Sequence, residues 1–108
     1  MIKIRKTSVL LAFLMTIGMV SMLEASPSKG QKIFVKKMKD GCGFAGDKFA
    51  VKHTQTEWEE IYNNGTFKEE MKKICPNLNT SKIKDKWLKH LYDFSYEYAS
   101  DSGNVPSC

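Results

Sequence analysis

A chain of 108 residues with seventeen basic and twelve acidic side chains has room for one small domain and carries a mild positive charge. One small domain is the expectation at this size, and the charge is too weak a field for a nucleic-acid binder while remaining compatible with docking on an acidic protein face. The sequence shows no internal repeat, no low-complexity tract and no second hydrophobic span.

Residues 1–25 have the layout of a secretory signal peptide. Lys3, Arg5 and Lys6 form a positive start, the run from Ser8 to Leu23 carries no charge, and Ala25 offers a small residue at a cleavage point before Ser26. The apolar run falls short of the roughly 20 residues that a spanning helix needs. The expected organisation is a signal peptide at 1–25 and a single exported domain at 26–108. Delivery to a bacterial periplasm is the simplest destination, with no membrane attachment after cleavage.

The exported part keeps fourteen basic residues against eleven acidic ones, and all but one (Phe13) of the twelve aromatic residues. A domain this small buries only about 60% of its unfolded surface, and aromatic side chains add much buried area per residue. It also holds all three cysteines, Cys42, Cys75 and Cys108, in a compartment where disulfides persist. An odd count allows one internal bridge and leaves one thiol.

Ser28 followed by Gln31 fits a capping box, and Gly30, Phe34 and Met38 then recur at steps of four beside Ile33. Lys29, Lys32, Lys36, Lys37 and Lys39 fill much of the remaining surface. Asp40-Gly41 is expected to end this helix, glycine taking the left-handed conformation without a steric cost. Asp47 to Lys52 reads as a turn or two of helix with Phe49 inward. Thr54 with Glu57 makes a second capping box, ahead of a buried face of Trp58, Ile61 and Tyr62 that Asn63-Asn64-Gly65 stops. Thr66 with Glu69 repeats the device, and Phe67, Met71 and Ile74 form the next stripe. Cys75-Pro76 closes it, because proline disfavours helical geometry in its predecessor.

The longest helix is expected over roughly Lys82 to Ser100, with Ile83, Trp87, Leu91, Phe94 and Tyr98 as a continuous apolar stripe widened by Leu88, Tyr92 and Tyr96. The tail from Asp101 is polar and ends on Cys108. No segment alternates as a strand does, so the fold class is all-α, with four or five short helices that hold only through tertiary packing.

This order of parts resembles the small class I cytochromes c. Gly-x-x-x-Phe in the first helix, a glycine loop, two middle helices, a proline loop and an aromatic last helix follow that family's plan, and "KGQKIF" looks much like its opening phrase. The family continues into Cys-x-x-Cys-His, which attaches haem. Here the matching positions are Met38, Gly41 and Cys42, and the distal methionine before proline is replaced by Cys75. Methionine and glycine cannot add to a haem vinyl group, and the imidazole ligand is absent. The resemblance therefore implies a cytochrome c-like bundle with no cofactor expected, haem being compatible only if bound non-covalently. It also implies an aromatic of the last helix, Tyr96 or Tyr98, lying across Gly30.

If that fold is kept, Cys42 and Cys75 stand where two ligands would face each other across an iron, and a bridge between them would close the space. Cys42–Cys108 and Cys75–Cys108 are not excluded by spacing. The remaining histidines show no metal-ligand spacing: His53, just before the Thr54 cap, reads as an exposed loop residue, and His90 as lying at the edge of the aromatic face. The lysines of the first helix, with Lys82, Lys84, Lys86 and Lys89, form either a solvated surface or a docking face for an acidic redox protein. No Ser/His/Asp arrangement, phosphate-cradling loop or carboxylate pair points to an enzyme. Three functional classes are carried forward: a haem-free protein-binding module near redox machinery, an electron carrier with non-covalent haem, and a thiol-redox protein using an unpaired cysteine.

Overall fold

The computed structural model describes residues 27–106. The signal peptide expected at 1–25 and the cysteine at 108 lie outside the described residues. Among these, five helices and two single 3₁₀ turns make up the regular structure, and no strand occurs. Helix α1 runs without a break through Pro27–Ile33, a wider π turn at Phe34–Met38, and Lys39–Cys42. Then come α2 (Gly46–Ala50), α3 (Gln55–Asn63), α4 (Phe67–Ile74), the 3₁₀ turns Thr80–Lys82 and Asp85–Trp87, and α5 (Leu88–Glu97).

Several boundaries differ from the sequence reading. Ser28 lies inside α1 rather than ahead of its first residue, since the helix already includes Pro27, whose missing N–H and fixed φ suit a helix start. The helix also runs past Asp40-Gly41 to Cys42, and Gly43 takes the left-handed conformation (φ 81°) that ends it. Thr66 is not a second capping box: its hydroxyl donates to the Ile61 carbonyl oxygen (3.2 Å). The last helix starts later than Lys82, because Ile83 and Lys84 have extended backbone, yet Ile83 is still buried. The Thr54 cap forms as read, with Thr54 Oγ1 accepting from the Glu57 N–H (3.2 Å) and Glu57 Oε1 accepting from the Thr54 N–H (2.9 Å).

The π turn was not legible in the sequence, but it explains the spacing of α1. Steps of four overshoot an α-helical face by about 40° each, at about 100° per residue. The Lys39 N–H bonds to the Phe34 carbonyl five residues back, and this wider turn swings Met38 back in line. Phe34 and Met38 are both fully buried.

Helix α5 is the hub, packing on α1 most extensively and also on α2, α3 and α4. Phe94 is its central residue. A Cβ on Gly30 would fall inside the envelope of the His90 carbonyl oxygen and 2.7 Å from Phe94 Cβ; one on Gly46 would meet the far end of the same ring at 2.6 Å. Two glycines thus make room for one aromatic. The expectation that Tyr96 or Tyr98 crosses Gly30 is corrected: Tyr98 rests on Phe94 (ring centroids 5.3 Å apart), and Tyr96 is exposed. From Phe34 the aromatic core continues through Phe49 (5.3 Å) to Trp58 (5.3 Å) and Phe67 (5.6 Å). Trp58 Nε1 donates to the Ala50 carbonyl at 2.8 Å, so this buried N–H is satisfied.

Candidate functional site

Cys42 is the last residue of α1 and Cys75 the first beyond α4. The two are joined by a disulfide with Cα atoms 4.4 Å apart, within the ordinary range for such bridges. Cys75 is buried and Cys42 partly so. Around the bridge, Met38 packs in the core, and a Cβ on Gly41 would stand 2.9 Å from Leu78 Cα. The loop after Cys75 is held from both sides, by the Leu78 N–H on the Cys75 carbonyl (2.9 Å) and by Lys72 Nζ on the Leu78 carbonyl (2.9 Å). Positions 38, 41, 42 and 75 therefore come together as one packed corner. With Cys42 and Cys75 paired to each other, neither forms a bridge to Cys108.

His53 is not an exposed loop residue. Its side chain is 24% exposed, its Nε2 lies 2.7 Å from Glu70 Oε2, and its Nδ1 lies 3.3 Å from Glu57 Oε1. The ring also meets the Trp58 indole edge-on at 4.8 Å. One imidazole thereby ties the start of α3 to α4. The Thr54 backbone N–H, followed by the His53 ring, holds the Glu57 carboxyl below the usual carboxylate range. This corner is a structural clamp, and no group of three metal-ligating side chains occurs among the described residues.

The lysines divide unevenly. Lys29, Lys32, Lys36 and Lys37 of α1 and Lys86 before α5 line a surface cleft of about 570 Å³ whose other walls are Ile33, Trp87 and His90. The ammonium groups of Lys37 and Lys84 lie over the Trp87 ring, 5.7 and 5.4 Å from its centre. Lys89 points elsewhere, paired with Asp93 at 2.8 Å. Asp85, the acidic residue nearest in sequence, is engaged by Lys68 at 3.0 Å. His90 stands where α1 and α5 cross, and its buried Nδ1 has no hydrogen-bond partner. A helical projection of the lysines places several on one flank, but nothing in the sequence shows that Trp87 and Ile33 floor the space between them.

No family model, curated protein or solved structure matches this chain.

Proposed function

We propose that this chain is an exported, haem-free module of cytochrome c-like build that acts through contacts with a protein partner. The observation that carries the reading is the Cys42–Cys75 pair. Two side chains that ligate one iron from opposite faces of a macrocycle cannot stand with their Cα atoms 4.4 Å apart and their sulfurs bonded. The other positions agree. Met38 is wholly buried in the core, and Gly41 is pressed against the Leu78 backbone. The residues at these places do not fit an attached haem. Function then rests on the surface, where the lysine-lined cleft is the feature best suited to an acidic partner.

An absorbance scan of the purified exported domain, before and after haemin addition, tests the haem-free half. The expected spectrum has no Soret band as purified and only the broad absorption of free haemin after addition. A sharp Soret band at one haem per chain, surviving gel filtration, would overturn it in favour of a non-covalent electron carrier.

A further inference from the structure

The cleft between α1 and the start of α5 has a more definite chemistry than a basic surface. We propose that it binds an extended acidic segment of a partner protein, with carboxylates on Lys32, Lys36, Lys37 and Lys86 and an aromatic or large aliphatic side chain on the Ile33–Trp87 floor. This rests on the protein-binding reading above and specifies what is bound and where.

Two observations select that occupant. The α1 lysines assigned to carboxylates span positions 32 to 37, which at about 1.5 Å per residue is about 7.5 Å along the helix, and Lys86 adds a fourth ammonium group from outside α1. A single small anion cannot meet ammonium groups spread over that length, whereas carboxylates spaced along a chain can. Next, the cleft is concave and its floor apolar. A flat anionic bilayer reaches the lysine tips and leaves the floor empty, while an inserted side chain gains the burial of the Trp87 and Ile33 surfaces.

Trp87 supplies the readout. The other tryptophan, Trp58, is fully buried, so a change in fluorescence or in iodide quenching on peptide addition reports Trp87. The exported domain is titrated with a synthetic peptide of alternating Glu and Asp around one Phe, with the same peptide carrying Ala for Phe, and with a Lys-for-acid version. The acidic Phe peptide is expected to bind, the Ala version about tenfold more weakly from the lost apolar burial, and the Lys version not at all. Raising the salt from low to well above physiological weakens binding, as screening requires. The double variant Lys36→Glu, Lys37→Glu loses binding while its thermal midpoint stays within a few degrees of the parent.

Absence of binding by the acidic Phe peptide overturns the proposal, as does equal binding of the Ala version. Tighter binding of a single-stranded oligonucleotide or of phosphatidylserine vesicles would overturn it in favour of that ligand. Salt-sensitive dimerisation in sedimentation, blocked by the same double variant, would give the cleft to a second copy. None of these results alters the haemin spectrum, so failure here and failure of the haem-free reading are separately visible.

Discussion

The two ends of helix α1 are held in different ways. Near its start, Gly30 lets the backbone of α1 approach that of α5 until nothing larger than hydrogen fits between them. At its end, Cys42 is tied by a covalent bond to the residue beyond α4. The first attachment is made of shape alone and tolerates no added atom; the second is a single link whose strength owes little to the fit around it. Between them the π turn keeps Phe34 and Met38 in the core. Even a helix of this length is marginal alone in water, and this one is secured at both ends and carries its lysines on the side left over.

Cutting the covalent end should have the largest effect. Reduction, or the paired change Cys42→Ser with Cys75→Ser, opens a loop of 33 residues. The chain-entropy account assigns such a loop roughly 3–4 kcal/mol. Urea unfolding with and without reductant should show that loss as a lower midpoint, and an unchanged midpoint would mean that the crossing alone holds α1.

Gly30→Ala attacks the other end and should cost about 2–3 kcal/mol, as overpacking does when the obstacle is backbone. The same methyl group at Gly41 gives the sharper contrast. There the nearest atom is also backbone, Leu78 Cα at 2.9 Å, but it stands farther off than the His90 carbonyl does at Gly30 and belongs to a turn rather than a helix; the propensity gain of about 1 kcal/mol from replacing a helical glycine applies at both positions. Gly41→Ala is therefore expected within about 1 kcal/mol of the parent in the same urea experiment. If the two alanine variants lose equal stability, the difference drawn between the ends of α1 is wrong.

The smallest effect concerns the clamp away from both ends. Because the Glu57 carboxyl titrates below its ordinary value in the fold, its contribution is present above that value. It is lost as pH falls through the lowered one. Glu57→Gln should flatten the decline of the thermal midpoint between about pH 5 and 3, where carboxylates titrate, and leave the response to reductant as in the parent.

Much of the architecture is legible in the order of residues. Trp58, Phe67, Met71, Leu91 and Phe94 are buried at helical spacing, and the Thr54–Glu57 cap carries its signal locally, in residues three apart. Less of the candidate site can be read this way. The pairing of Cys42 with Cys75 rather than Cys108 depends on where α4 ends relative to α1, a distance no local pattern encodes. The lysines were visible as a group, but their division into cleft-lining and paired members depends on Trp87, Asp85 and Asp93. The role of His53 carries no local signal, because its partner Glu70 lies seventeen residues away on another helix.

The sequence by itself determined that this is one small all-helical domain, with aromatic stripes to bury and cysteines able to bridge, because periodicity and capping act over three or four residues. Only the tertiary structure decided three things: that Phe94 fills the space above two glycines, that α1 widens by a turn to keep its core face, and that a cleft opens between lysines and a tryptophan. Each of these depends on how closely two backbones approach, a quantity set by the packing of side chains far apart in the chain.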